Sequence, residues 1–152
     1  MSQRKTTVSD IIIRELTTND LPQAFPVVSQ LRAHLSLDEY INLVKAMKPD
    51  GYLAIGLFEN GKIVSYAGFA KLINLYYGEH IWVYDFVTDE AKRGKGYGKL
   101  LLSHIEKYAK DNGLGGVALS SGLQRESAHG FYEKAMDYER ASYVFKKDLT
   151  RR

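Results

Sequence analysis

The sequence contains no cysteine among its 152 residues. Disulfides, thiolate metal sites and thiol nucleophiles are therefore excluded, and any covalent catalysis would need another residue type. No apolar run approaches the roughly 18 residues required to span a bilayer, and the opening MSQRKTTVSD lacks the hydrophobic stretch of a secretory signal. A cytoplasmic protein with no membrane partner is expected. No Pro- or Ser-rich segment and no internal repeat interrupts the chain, so a single domain over residues 1–152 with one core is expected. Charge of one sign is not concentrated either. The net charge is +3, yet Lys and Arg are scattered with no continuous basic stripe, which gives nucleic-acid binding no support. The histidines His34, His80, His104 and His129 show no metal-ligand spacing, so no metal is expected.

What is present has the balance of a soluble globular domain, with 45% hydrophobic and 26% charged residues. The β-branched run Ile11-Ile12-Ile13 followed by Arg14-Glu15-Leu16 predicts a first strand. Thr17, Thr18, Asn19 and Asp20 then offer N-cap oxygens, and Leu21, Phe25, Val28, Leu31 and Leu35 recur at helical spacing, predicting a helix bent at Pro26. Ser36-Leu37-Asp38-Glu39 matches a capping box and opens a second helix to about Met47, stopped by Pro49-Asp50-Gly51. Asn60-Gly61 suits a tight hairpin turn between strands over 52–59 and 62–75. Beyond the turn at 76–79, residues 80–88 predict a strand that leads into a glycine-rich loop. A helix over 97–112, a strand over 116–121, a helix over 126–136 and a last strand over 138–149 follow. The order β-α-α-β-β-β-α-β-α-β predicts an α/β fold, a mixed sheet with helices on both faces.

The loop Arg93-Gly94-Lys95-Gly96-Tyr97-Gly98 lies between a predicted strand and a predicted helix. A helix start exposes unpaired N–H groups and the positive end of the macrodipole, and glycines let the backbone approach an anion closely. A pyrophosphate fits such a place. Two familiar phosphate loops fail on spacing: Gly98-Lys99 is followed by Leu100 rather than Ser or Thr, and the third glycine of GxGxxG would fall on Lys99 or Leu101. Neither a P-loop NTPase nor a dinucleotide oxidoreductase is favoured, while an ordinary tight turn would use the same glycines.

Arg93, Gly96 and Gly98 form R-x-x-G-x-G, which resembles the acyl-CoA loop of the GNAT N-acetyltransferase superfamily. The segment Tyr84 to Glu90 is similar to that family's fourth strand, and Ser127 to Lys134 is similar to its A-x-x-F-Y segment. The order of elements agrees with the family's mostly antiparallel sheet. The resemblance implies that acetyl-CoA donates the acetyl group, with backbone groups of Phe86, Val87 and Thr88 along the pantetheine arm. It also implies that N–H groups from Gly94 through Lys95, Gly96, Tyr97 and Gly98 to Lys99 hold the pyrophosphate. Arg125 stands where many family members have Asn, and a cation there could still meet CoA phosphates.

Acetyl transfer to an amine needs a neutral nucleophile, a stabilised oxyanion and a proton for the departing thiolate. A tyrosine, with a pKa of about 10, stays protonated at neutral pH and can donate to a thiolate whose conjugate acid titrates near about 8.5. Tyr132 matches the family's tyrosine in this role, although an aromatic packed in a core would occupy the same position. Asp85 is the one charged residue between Ile81 and Thr88, so it has a partner or a task. Relatives such as aminoalkylphosphonate N-acetyltransferases carry an acidic residue at this offset as a base or water-positioning group; capping a turn or binding Arg93 is the alternative. The resemblance puts the oxyanion on backbone N–H groups near Val87. The acceptor pocket is expected to draw on the first two helices, on Tyr76 and Tyr77, and on Arg32 and His34 as carboxylate or phosphate contacts. The expected acceptor is the primary amine of a small molecule, with protein N-termini, lysine side chains or a non-catalytic acyl-CoA-binding role as alternatives; the sequence leaves homo-oligomerisation open.

Overall fold

Ile11–Glu15 forms the first strand, β1, in the computed structural model, which describes residues 10–150. The segment 1–9, on which most of the signal-peptide reading rests, lies outside the described residues. β1 pairs antiparallel with β2 (Leu53–Glu59), β2 with β3 (Lys62–Asn74) and β3 with β4 (Gly78–Thr88). A short β5 (Val117–Leu119) joins β4 in parallel, over Ile81–Val83 only. The result is an open, mixed sheet in the order β1-β2-β3-β4-β5. Asn60 and Gly61 close the β2–β3 hairpin with φ of +52° and +83°, the primed turn whose twist matches that of the strands.

Helices cover both faces. On one lie α1 (Leu21–Leu31) and α2 (Leu37–Met47), whose Leu21, Val28, Tyr40 and Val44 bury against Ala54, Phe58, Tyr66 and Val87 of the sheet. On the other lies α3 (Tyr97–Asp111), which buries Leu101, Leu102 and Ile105 and sets Tyr108 edge-on to Phe69 of β3 at 5.4 Å between ring centroids. The α2 capping box forms as expected: Glu39 N–H donates to Ser36 Oγ at 3.1 Å, and Ser36 N–H donates to Glu39 Oε1 at 2.8 Å. α1 stops four residues before the expected Leu35, because Arg32 leaves helical geometry at φ −117°, ψ 61°.

Two register shifts re-aim side chains. Between β3 and β4, Gly68 faces Asp85 and Phe69 faces Val83, so Tyr84 is an extra residue on β4. Val83 shares the α3 face with Phe69, whereas Val87 packs with Tyr66 beneath α1 and α2. Alternation alone would put Asp85 on the same face as Val83. The bulge at Tyr84 turns it to the opposite face, the kind of re-aiming that bulges perform beside active sites.

The described residues divide after Leu119 into two compact units. In the second, α4 (Glu126–Gly130) continues into a π-helical turn over Phe131–Ala135, closed by Met136 N–H to the Phe131 carbonyl at 3.0 Å. The expected final strand over 138–149 is not formed. Its Tyr143-Val144-Phe145 run has β propensity, but propensity expresses fit to a half-buried pleated surface with a ladder partner. Here every residue from Glu139 to Thr150 is exposed, Phe145 to 93%.

At the start of the chain, Arg14 binds Asp20 through two hydrogen bonds of 3.0 and 3.1 Å, and Thr17 N–H donates to Asp20 Oδ2 at 2.7 Å. The Arg14 guanidinium first, then the Thr17 N–H, lowers the Asp20 carboxyl from 3.8 to about 2. Stability from a depressed carboxyl is complete above its unfolded pKa and is lost as pH falls through the folded value. Asp20→Asn is expected to destabilise at neutral pH by about 1 kcal/mol or less, because the pair is largely solvated. The gap from the wild-type protein should close between about pH 4 and about pH 2, as urea unfolding across that range would register.

Candidate active site

Asp85 is held on β4 by partners from two other elements. Its side chain is 16% exposed, and Arg32 Nε donates to Oδ1 at 2.9 Å. Tyr52 Oη donates to Oδ2 at 2.7 Å. Arg32 also donates from Nη2 to the Tyr84 carbonyl at 2.9 Å, so it grips both the bulge residue and the carboxylate that the bulge re-aims. The partner of Asp85 is thus Arg32, not Arg93, whose Nε donates to the Thr88 carbonyl at 3.1 Å.

Behind Tyr52 stands Tyr66, fully buried, with 3.0 Å between the hydroxyls. Because the single Tyr52 proton goes to Asp85, the Tyr66 hydroxyl is the donor of that pair. Burial, then the Asp85 charge, pushes the Tyr52 phenol well above 10; burial, then Tyr52, does the same for Tyr66. Both phenols are therefore protonated donors at any ordinary pH, and the carboxylate terminates a directed chain. Gly68, the cross-strand partner of Asp85, is what admits it. A Cβ at position 68 would lie 1.6 Å from Tyr52 Oη.

The glycine loop follows the same strand. Thr88 Oγ1 lies 2.9 Å from Ser65 Oγ, which donates to the Val87 carbonyl at 3.2 Å and fixes the end of β4. Asp89 Oδ1 then caps a single helical turn by accepting from Ala91 N–H at 3.1 Å. Gln30 of α1 bridges this corner, accepting from Glu90 N–H at 2.9 Å and donating to Asp89 Oδ1 at 3.2 Å. Gly94 and Gly96 adopt φ of +82° and +84°, and Gly96 is the N-cap of α3. With no side chain there, no capping hydrogen bond is made. The first-turn N–H groups of a 15-residue helix thus face an exposed loop, with open space around Gly96. Lys95 and Lys99 are exposed beside it, whereas the Tyr97 ring is buried and only its backbone faces the loop.

In the second unit, Tyr132 is buried in the π-helical turn, its ring 5.4 Å from Phe131 and 6.1 Å from Tyr138. Burial raises its phenol pKa and Arg125, the α4 N-cap, opposes the rise, leaving a protonated hydroxyl at neutral pH. Other expected positions do not converge. Tyr76 and Tyr77 meet edge-on at the β3–β4 turn, 4.7 Å between centroids, at the end of β4 away from the loop. Seven residues of strand, 78–84, separate Tyr77 from Asp85, a span of about 25 Å. His34 is exposed between α1 and α2. Among the described residues no three His, Asp or Glu side chains gather as metal ligands. Sequence reasoning missed Tyr52, Tyr66 and Gln30; Gly68, a glycine inside a strand, was the one available signal of a close approach.

Comparison with known proteins gives a consistent picture. The profile of the acetyltransferase (GNAT) family matches residues 13–138. An uncharacterised N-acetyltransferase of Bacillus subtilis (strain 168), YhdJ, is 37% identical over 141 residues, covering 91% of this chain and 99% of that protein. A putative acetyltransferase from Agrobacterium tumefaciens str. C58 is similar with 26% identity and a TM-score of 0.77, over 91% of this chain and 99% of its own. The aminoglycoside N-acetyltransferase AAC(6')-Iy, solved in complex with CoA, shares the fold at a TM-score of 0.83 and 13% identity, covering 98% of this chain and 99% of its own.

Gly68→Ala is expected to destabilise by about 1–3 kcal/mol, since the new methyl must displace the Tyr52 hydroxyl from its bonds. In a Tyr52→Val background, where the obstructing ring is gone, the same substitution should cost much less. Chemical denaturation of both singles and the double would expose this non-additivity, and simple additivity would contradict the packing described.

Proposed function

The chain belongs to the acetyltransferase (GNAT) family and is an N-acetyltransferase, and on that premise we propose that it transfers the acetyl group of acetyl-CoA to the primary amine of a small molecule. The observation that carries the donor side is the exposed loop with left-handed Gly94 and Gly96 at the uncapped start of α3. Oriented N–H groups and the positive helix end suit a pyrophosphate, with Lys95 and Lys99 as flanking cations. The pantetheine arm runs along Phe86, Val87 and Thr88, and Arg125 meets a CoA phosphate. The family match spans residues 13–138, on both sides of Leu119, and supports one acetyltransferase domain. No helix among the described residues is long and apolar enough to cross a membrane, in keeping with a cytoplasmic enzyme.

In the reaction the amine nitrogen attacks the thioester carbonyl carbon, the C–S bond breaks, and the sulfur leaves as thiolate. N–H groups near Val87 receive the oxyanion. Tyr132, protonated, supplies the proton to sulfur. Asp85 already accepts from Arg32 and Tyr52, which suits a carboxylate that attracts the ammonium and orders a water to take its proton better than one that removes the proton itself. Arg32 and His34 stand on the acceptor side.

Acetyl-CoA at about a hundred times its dissociation constant should raise the melting temperature by roughly 5 to 10 °C, the equivalent of about 2.7 kcal/mol. Gly96→Glu should abolish the shift, because it combines a carboxylate with a backbone φ that side chains disfavour; no shift in the wild-type protein at millimolar acetyl-CoA would end the reading.

Once an acceptor is found by CoA-thiol release across an amine panel, Tyr132→Phe should keep acetyl-CoA affinity while turnover falls about 100-fold. Near-normal turnover in the folded variant would reduce Tyr132 to a packed aromatic.

A further inference from the structure

Glu59 ends β2 just before the Asn60-Gly61 turn, and only 10% of its side chain is exposed. Its two oxygens reach away from their own hairpin to the glycine loop. Oε1 accepts from Lys92 Nζ at 2.8 Å, and Oε2 accepts from the Tyr97 hydroxyl. Lys92 is the last residue before Arg93 and the loop, and Tyr97 is the first residue of α3 beyond it. One carboxylate, two strands away in the sheet, therefore binds both ends of the four-residue stretch Arg93–Gly96.

The chemistry of this contact raises a difficulty that its geometry resolves. A glycine loop gains its ability to approach an anion from backbone freedom, and that same freedom must be removed for its N–H groups to stay aimed. A bidentate contact to both flanks removes it. Yet a negative charge behind a site for a negative ligand opposes binding unless neutralised, more so where burial weakens solvent screening. Lys92 supplies that neutralisation. Its ammonium is raised above 10.5 by the hydrogen bond it donates to Glu59, then by the Glu59 charge, so Lys92 carries its charge throughout the physiological range.

We propose that Glu59 is the positioning residue of the donor loop, fixing its two ends through Lys92 and Tyr97, and that Lys92 serves as the counter-charge of Glu59 and not as a phosphate ligand. This rests on the reading of the loop as a pyrophosphate cradle. Lys92 looks from sequence like one more cation next to a phosphate loop; its position on Glu59 gives it a different task.

The test is titration calorimetry of acetyl-CoA against wild-type protein, Tyr97→Phe, Lys92→Met, Glu59→Gln and the Glu59→Gln/Lys92→Met double variant, at two salt concentrations. Tyr97→Phe keeps the ring and the charge but frees one flank, and should weaken binding about threefold to tenfold. Lys92→Met removes the lysine counter-charge from the carboxylate behind the anion and should weaken binding about tenfold or more. The decisive comparison is the double variant. It should bind at least about threefold more tightly than Lys92→Met, because the Glu59 charge is gone as well, and the salt dependence of Lys92→Met should stay as steep as that of the wild-type protein. A double variant no tighter than Lys92→Met, a shallower salt dependence for Lys92→Met, or unchanged affinity in Tyr97→Phe would overturn the proposal while the cradle reading stands. A wild-type protein that fails to bind acetyl-CoA would overturn both.

Discussion

The first unit is organised around a carboxylate that is mostly withdrawn from water and cannot stand alone. Asp85 receives Arg32 from the end of α1 and Tyr52 from the residue preceding β2, so one charge on β4 ties together three segments far apart in the chain. The arrangement explains otherwise separate features: why α1 breaks at Arg32 rather than running on, why a glycine interrupts the apolar pattern of β3, and why Tyr52 and Tyr66 are buried with their hydroxyls in line. A half-buried carboxylate without such donors would be costly. With them it is fixed in place and aimed.

The glycine loop obeys a different rule, since the groups it exposes are main-chain N–H dipoles whose direction no side chain chooses directly. Control is exercised at the borders of the loop. Ser65 and Thr88 fix the strand end, Gln30 fixes the corner at Asp89 and Glu90, and Glu59 reaches the residues on either side of the glycines. Gln30 and Arg32 are two positions apart on α1, so the same helix end touches both the corner before the loop and the Asp85 carboxylate. Dipoles held in this way need no reorientation to meet an anion.

Much of this was legible in the sequence, for identifiable reasons. Helix starts and hairpin turns are written locally, which is why the Ser36–Glu39 box and the Asn60-Gly61 turn form where the pattern placed them. The loop was legible because glycines between a strand and a helix have a physical use. Long-range pairings were not: nothing near Asp85 in sequence announces Arg32 or Tyr52, and nothing near Glu59 announces Lys92. The run 138–149 shows the converse, since a locally strand-like stretch acquires no ladder by propensity alone. Bulges were invisible for the same reason, because a register shift is a property of two strands and not of one.

The extra residue at Tyr84 makes the geometry of β4 a matter of parity. Side-chain direction along a strand depends on whether the number of intervening residues is odd or even, and the bulge changes that count by one between Val83 and Asp85. Because Val83 pairs with Phe69 and Asp85 with Gly68, the later side chains of β4 owe their faces to those pairings, and Tyr84 stands outside the count. Removing Tyr84 would leave Asp85 opposite Gly68 and Val87 opposite Tyr66, on the faces they already occupy, and would take away the bulge itself and the Tyr84 carbonyl that Arg32 grips. The loss of the bulge would therefore be felt first in the grip of Arg32 on β4 and only second in the packing of the sheet.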